Sequence, residues 1–347
     1  MNRQFERPGT QAGRRFAERH WYRLSPVSIL LTPIALCFGI AVILRRALYR
    51  YGILKSVRLG VPVIVVGNLT VGGTGKTPLV LWAVERLRAA GKHPGIVLRG
   101  YGGHGGRGGA AEQALPGSGD TRRVGDEAML LAERSECPVW AGRDRVAAAM
   151  ALLAAHPHCD VIVCDDGLQH YRLARDVEIA VEDDRGHGNG LLLPAGPLRE
   201  PASRRVDATV VNANVSLQRP GAAPVFQMRL APCGFQRING DGETVEACHL
   251  AGKRLHAVAG IGNPRRFFEL LRSMGLSVTP HAFPDHHDFI GADLEFNDCD
   301  AVLMTEKDGV KCRAFGRQDL YTLRVVADPA PALADVILKA FDGRTHA

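Results

Sequence analysis

The hydrophobic pattern divides the chain into three stretches. From Leu24 to Leu44 no residue is charged: LSPVSILLTPIALCFGIAVIL. Twenty-one residues at a rise of ~1.5 Å cover roughly 30 Å, the thickness of a bilayer core. The alternative is a buried core helix, and Pro33 weakens a straight span, but length and the charge gap predict a membrane-associated segment. Past residue 58 the pattern becomes short apolar runs alternating with helical periodicity. VPVIVVG (61–67) is β-branched and apolar, as a strand covered on both faces requires. PLVLWAVERLRAAG then reads as a helix, with Pro78 in its first turn and Gly91 after its end. The unit recurs in GIVLRG (95–100), a helix around Asp126 to Glu136, PVWAG (138–142), the helix RDRVAAAMALLAAH and DVIVCDD (160–166). The alternation predicts a doubly wound, mostly parallel α/β sheet.

Near Val215 to Pro224 the pattern loosens. A second series follows: HAVAGIG (256–262), PRRFFELLRSMG, DAVLMTEKD (300–308) and YTLRVV (321–326). The expected organisation is a basic and apolar membrane-associated segment over 1–58, a core over 59–222, and a smaller C-terminal α/β lobe over 223–347.

Charge sharpens the first stretch. The 347-residue chain has 46% hydrophobic and 23% charged residues, which excludes wholesale disorder, and a net charge of +7. Six Arg and two Glu fall in the first 25 residues, and Arg45, Arg46, Arg50, Lys55 and Arg58 follow the apolar run. With both flanks basic, a segment lying in the inner leaflet would set both against anionic headgroups. No aromatic–basic stacking module accompanies the charge, so a membrane is the expected partner and nucleic acid is not. The eight Cys contain no C-x-x-C pair, which speaks against a disulfide framework or zinc site.

The candidate chemistry begins after the first strand. Thr70, Val71, Gly72, Gly73, Thr74, Gly75, Lys76 and Thr77 form a glycine-rich turn between strand and helix, the context of a phosphate-binding loop. Thr70 stands where that loop's first glycine is usual. Backbone amides at a helix start would face anionic oxygens. Lys76 would reach the outer phosphates, and Thr77 would ligate Mg²⁺. VIVCDDG supplies Asp165 and Asp166 at a strand end, where an acid for the magnesium shell is expected. VGDEA places Asp126 and Glu127 at a helix start, which N-capping alone would explain. PDHHDF (284–289) offers His286 and His287 on a loop of the second series. Arg99, Arg143, Arg145 and Arg199 sit on loops, where together they could grip a phosphorylated headgroup.

In combination these pieces resemble the tetraacyldisaccharide 4′-kinase family. VGNLTVGGTGKTP, LRGYGG, VGDEA, GRDR, CDDGLQH, LLLPAGPLREP, AVAGIGNPRRFF, FPDHHDF and MTEKD run from about residue 20 to 310. The resemblance implies a P-loop kinase that moves the γ-phosphate of ATP, with Mg²⁺, to the 4′-hydroxyl of a membrane-held disaccharide lipid. Its product would be lipid IVA. It implies Asp126 and His286 as a dyad activating that hydroxyl. It adds Arg99, Tyr101, Glu127, Arg143, Gln169 and Arg199 on the substrate side. It also implies the cytoplasmic face of a Gram-negative inner membrane, and a monomer is expected. A switch ATPase of the partition type fits less well, because its signature lysine before the two glycines is replaced here by Val71.

Overall fold

The computed structural model describes residues 19–100, 111–117, 121–213, 223–240 and 243–342. Within them thirteen strands form one hydrogen-bonded sheet. Strands β1 (Val63–Gly67), β2 (Pro94–Leu98), β3 (Glu112–Ala114), β4 (Val139–Ala141), β5 (Val161–Asp165), β6 (Val177–Asp183) and β7 (Ala208–Asn212) make its first half. Strands β8 (Val225–Arg237), β9 (Thr244–Val245), β10 (Leu255–Ala259), β11 (Val278–Ala282), β12 (Ala301–Thr305) and β13 (Leu320–Pro329) make the second. The order is β11-β10-β12-β13-β8-β7-β6-β1-β5-β2-β4-β3, with β9 beside β8. Pairing is parallel except at β3–β4, β8–β9 and β8–β13.

Every residue of β1, β2 and β5 is buried. That is why these strands read as unbroken apolar runs rather than alternating ones. Helices cover both faces of the first half. On one side lie α2 (Lys76–Ala89) and α4 (Asp126–Ser135), the latter preceded by the single turn α3 (Thr121–Val124). On the other lies α5 (Arg145–Ala155). In the second half, α6 (Pro264–Ser273) buries Phe267, Phe268 and Leu271 against β10 and β12. The short α7 (Glu306–Cys312) follows β12 directly. The final helix α8 (Leu333–Leu338) crosses back, and its Leu333 and Ile337 join the core beneath α2.

The two halves are continuous through the long antiparallel pair β8–β13, which runs from Met228–Pro329 to Arg237–Tyr321. This pair was not legible in the sequence. In β8 the run VFQMRLAPCGFQR mixes polar positions with Pro232 and Gly234, and Gly234 takes a φ of 98°.

Helix α1 (Pro26–Arg50) is 25 residues long and, among the described residues, is the one helix long and apolar enough to cross a membrane, by length and composition alone. It continues through Pro33. Seven large apolar side chains from Ile29 to Leu44 are more than half exposed. One stripe docks on the body. Ser28 takes a hydrogen bond from Asn189 Nδ2, Gly39 lies against Leu192, and Tyr49 packs on Tyr171. These contacts run almost the whole length of the helix.

Candidate active site

The C-terminal ends of β1, β2, β5, β7, β10 and β12 open onto one cleft of about 2000 Å³. Parallel sheets bind ligands at this edge, because the loops there are free to carry chemistry. Residues Val71 to Thr77 form one wall, and Trp21, Tyr22, Phe38, Val42 and Arg45, from α1 and the segment before it, form another. Glu127, His286 and Lys307 also line it.

The glycine-rich loop is held from outside. Asn68 Nδ2 donates to the carbonyl of Gly72 (3.0 Å), Arg185 donates to that of Gly73 (3.1 Å), and Asn212 Nδ2 donates to that of Thr74 (3.1 Å). In a trans peptide the N–H points opposite to its carbonyl. Three fixed carbonyls therefore turn the amides of Gly73, Thr74 and Gly75 the other way. Gly75 caps α2 with a φ of 92°, and a Cβ there would come within 2.7 Å of Asn212 Nδ2. Conformation and space both demand glycine. Thr70 is buried and bridges to Leu198, and Val71 N donates to the Pro197 carbonyl at 2.9 Å. The position lacking the usual glycine is thus tied to the loop that carries Arg199.

Lys76 Nζ lies 3.4 Å from Asp166, which also pairs with Arg199 at 3.1 Å. Burial would raise the Asp166 pKa, but Lys76 and Arg199 bring it down to about 2. Asp165 behaves oppositely. Its burial, together with Glu127 nearby, pushes its pKa up. Its Oδ1 is buried and has no hydrogen-bond partner among the described residues, and neither has the Thr74 hydroxyl. A buried carboxylate oxygen without a donor is costly. Beside Lys76 and Thr77, a hard divalent cation arriving with phosphate oxygens would relieve that cost, so the donor set fits Mg²⁺.

Across the cleft, α4 meets α7 and the loop after β11. His286 Nδ1 lies 3.1 Å from Asp126 Oδ2, and Lys307 Nζ lies 3.3 Å from His286 Nε2. An ammonium can only donate, so Nε2 accepts. The single ring proton of a neutral His286 then sits on Nδ1 and is donated to Asp126. Lys311 adds a second cation 3.3 Å from Asp126. Burial opposes ionisation of Asp126, but the hydrogen bond from His286 and the charges of Lys307 and Lys311 hold its pKa well below the usual carboxylate range. His286 has a φ of 58°, an unfavourable conformation for a non-glycine residue, and its amide is tied to the Gly260 carbonyl.

The pairs joining α4 to α7 and the turn that follows it extend beyond the dyad: Glu127–Lys307 at 2.8 Å, Glu133–Arg313 at 2.8 Å and Arg134–Glu306. Thr305 caps α7 by accepting from Asp308 N. Asp308 in turn holds Gly260 N at 2.9 Å. The TEKD run is therefore a helix start whose intervening Glu306 and Lys307 both reach α4.

Three comparisons bear on this arrangement. A family model described as Tetraacyldisaccharide-1-P 4'-kinase matches residues 27–342. The chain belongs to this family. It is 52% identical over 328 residues to the tetraacyldisaccharide 4'-kinase of Azoarcus sp., covering 93% of this chain and 94% of that one. With the tetraacyldisaccharide 4'-kinase of Nitrosococcus oceani it shares 47% over 321 residues, 92% of each chain. Among solved structures, LpxK from Aquifex aeolicus in complex with ATP superposes with a TM-score of 0.78. The identity is 30%, over 90% of this chain and 99% of that chain.

Of the residues singled out from the sequence, Val71–Thr77, Arg99, Glu127, Asp165, Asp166, Gln169, Arg199 and His286 line the cleft. Gln169 donates to the Asn68 carbonyl at 3.2 Å. Arg143 is exposed and not among the lining residues; its neighbour Arg145 is buried and donates to the Asp166 carbonyl at 3.2 Å. Tyr101 lies outside the described residues. Sequence reasoning missed Lys307, Lys311, Arg185, Asn212 and Arg266. The lysines were inside the quoted MTEKD run and just beyond it. Arg266 stood inside the quoted AVAGIGNPRRFF run without being singled out, and for Arg185 and Asn212 no motif gave a signal.

Proposed function

We propose that this protein phosphorylates the 4′-hydroxyl of a tetraacylated glucosamine disaccharide 1-phosphate with ATP, giving lipid IVA, at the cytoplasmic face of a Gram-negative inner membrane. The observation that carries this reading is the single cleft shared by the phosphate-binding loop, His286, which bonds Asp126 behind it, and the apolar helix α1. A soluble small-molecule kinase has no use for a 25-residue helix with an exposed apolar face beside its active site. Because α1 is docked almost end to end, the reading places it in the plane of the inner leaflet rather than across the bilayer. Arg45, Arg46 and Arg50 at its end would then meet anionic lipid. The chain is read as a monomer with no nucleic-acid partner.

In the proposed mechanism the loop amides and Lys76 hold the outer phosphates. Mg²⁺, held by Thr77 and Asp165, would neutralise phosphate charge when bound. Asp126 accepts the hydrogen bond of the 4′-hydroxyl and takes its proton as the new P–O bond forms and the bond from the γ-phosphorus to the bridging oxygen breaks, releasing ADP. A carboxylate so acidified is a weak base. It suffices because phosphoryl transfer has a loose transition state, in which the nucleophile keeps its proton until late and orientation matters most. His286 fixes the Asp126 carboxylate by donating from Nδ1. Arg199, Arg99, Gln169 and Glu127 are proposed to meet the headgroup, as are Arg143 and Tyr101 on the family resemblance alone.

The test presents the disaccharide 1-phosphate in anionic vesicles with Mg-ATP and follows the lipid by mass spectrometry. A gain of one phosphoryl group is expected. Ile34→Glu with Ile40→Glu should raise the lipid KM in vesicles and leave the ATP KM unchanged. ATP hydrolysis without lipid phosphorylation would overturn the assignment.

A further inference from the structure

The loop carbonyl of Thr74 is not held by an isolated side chain. Asn212, at the end of β7 and buried, donates to it through Nδ2 and accepts at Oδ1 from Arg266, whose guanidinium lies 3.0 Å away. The amide orientation is unambiguous, because a carbonyl can only accept and a guanidinium can only donate. Arg266 belongs to the first turn of α6, in the second half of the sheet, where Asn263 caps the helix and Pro264 starts it. Two hydrogen bonds therefore connect a rigid helix of the C-terminal half to the nucleotide loop of the N-terminal half.

We propose that Arg266 is a positioning residue for nucleotide binding, acting through Asn212 on the Thr74–Gly75 peptide. Without Arg266, the Asn212 amide is free to rotate about its last side-chain bond and to present oxygen instead of nitrogen to the Thr74 carbonyl. That peptide would then lose its outside anchor, and the Gly75 amide would no longer be fixed toward the phosphates. Gly75 is the residue most exposed to such a change, since its left-handed φ leaves the peptide before it with little else to fix it. The other two loop carbonyls are held by Asn68 and Arg185, both from the N-terminal half. Only the third depends on where α6 stands. The C-terminal half thereby sets the nucleotide loop as well as supplying His286 to Asp126.

This inference rests on the P-loop kinase reading, so its test measures ATP binding as well as turnover. The full-length protein in detergent micelles is titrated with a fluorescent ATP analogue and Mg²⁺, for wild type, Arg266→Met, Arg266→Lys, Asn212→Ala and the Arg266→Met/Asn212→Ala double variant. Arg266→Met should weaken nucleotide affinity by about 3- to 10-fold, the span of one net hydrogen bond, with the lipid KM unchanged. Arg266→Lys, which keeps a donor, should recover most of that loss. The double variant should bind no worse than Asn212→Ala, because members of one relay lose their effect once. Three outcomes overturn the proposal. Losses that multiply in the double variant mean that Arg266 touches the nucleotide by itself. A lowered melting temperature with unchanged nucleotide affinity means that it only joins the two halves. Arg266→Lys as weak as Arg266→Met removes the donor argument. Should Asn212→Ala fail to fold, the Met and Lys variants still decide between these. Failure of the kinase reading would look different: wild type itself would then bind no nucleotide.

Discussion

The two walls of the cleft are built in opposite ways. The nucleotide wall comes mainly from one run of chain, Asn68 to Thr77, with Asp165 and Asp166 one strand away in the sheet. The acceptor wall joins groups far apart in sequence: Asp126 to His286 across 160 positions and Glu127 to Lys307 across 180. Local chain geometry suffices for the first. A buried strand, three glycines and a helix start leave the loop few conformations. The second exists only where β8 and β13 carry the C-terminal half into position, and it is held by buried and half-buried charge pairs. Removing one partner of such a pair costs more than the pair contributes, since the other charge is left desolvated. The nucleotide wall should therefore fail cleanly, losing function and keeping the fold. The acceptor wall should couple function to stability.

The largest effects test that division directly. Lys76→Ala should lower kcat/KM for ATP by ~10²–10³, and the melting temperature of the nucleotide-free protein should stay nearly constant, because Asp166 keeps its pair with Arg199. Asp126→Ala should lower kcat by ~10²–10⁴ with ATP affinity little changed. It should also lower the melting temperature, because His286, Lys307 and Lys311 lose their shared partner. Equal stability losses in the two variants would erase the contrast. Next in size is His286→Ala. His286 is proposed to act only through Asp126, so adding His286→Ala to Asp126→Ala should cost almost nothing further in kcat. Single losses that multiply would separate the two residues.

Lys307→Met should have an intermediate effect, about tenfold in kcat/KM, with a signature in pH. Asp126 has a depressed pKa, so its pairing stabilises the fold above the ordinary carboxylate value and is lost as pH falls through the depressed one. Lys307 is one cause of that depression. Without it Asp126 protonates sooner on acidification, and the acid limb of the kcat/KM profile should move to higher pH. A profile that stays in place would show that the Lys307 charge does not reach the base.

How far the site was legible follows the same division. Lys76 and Thr77 at the start of α2, and Asp165 and Asp166 at the end of β5, were read from pattern alone, since each pair lies where periodicity changes. Asp126 read first as an N-cap, but Gly125 holds that position and Asp126 is the first residue of the helix; its Oδ1 accepts from Glu127 N at 3.0 Å while Oδ2 faces His286. Only the family resemblance suggested the second role. Asn212 and Arg185 left no trace, because they bond backbone carbonyls and any residue can supply a carbonyl; Arg266 stood inside the quoted AVAGIGNPRRFF run, but its role passes through Asn212 and so could not be read there. Strands β6, β7 and β8 went unread for a related reason. Acids inside VEIAVED, the brevity of ATVVN and the polar positions of β8 blur the pattern that marks the buried strands.

The smallest predicted effect makes the sharpest control. His286 and His287 are adjacent, share one loop and are identical in chemistry, so residue type alone cannot rank them, and only the family resemblance chose His286. The structure turns them apart. His286 faces Asp126 and lines the cleft, whereas His287 Nε2 pairs with Asp293 at 2.8 Å within its own half and packs against Phe283 and Phe289. The His287 link to Lys311 runs through its backbone carbonyl at 3.2 Å and survives loss of the ring. His287→Ala should therefore keep kcat within about twofold and lower stability by about 1 kcal/mol, the net worth of one hydrogen bond with some ring packing. Paired measurement of kcat and melting temperature on both histidine variants reads the result. A His287→Ala variant that loses turnover as His286→Ala does would mean that the loop, rather than the one ring beside Asp126, carries the acceptor wall.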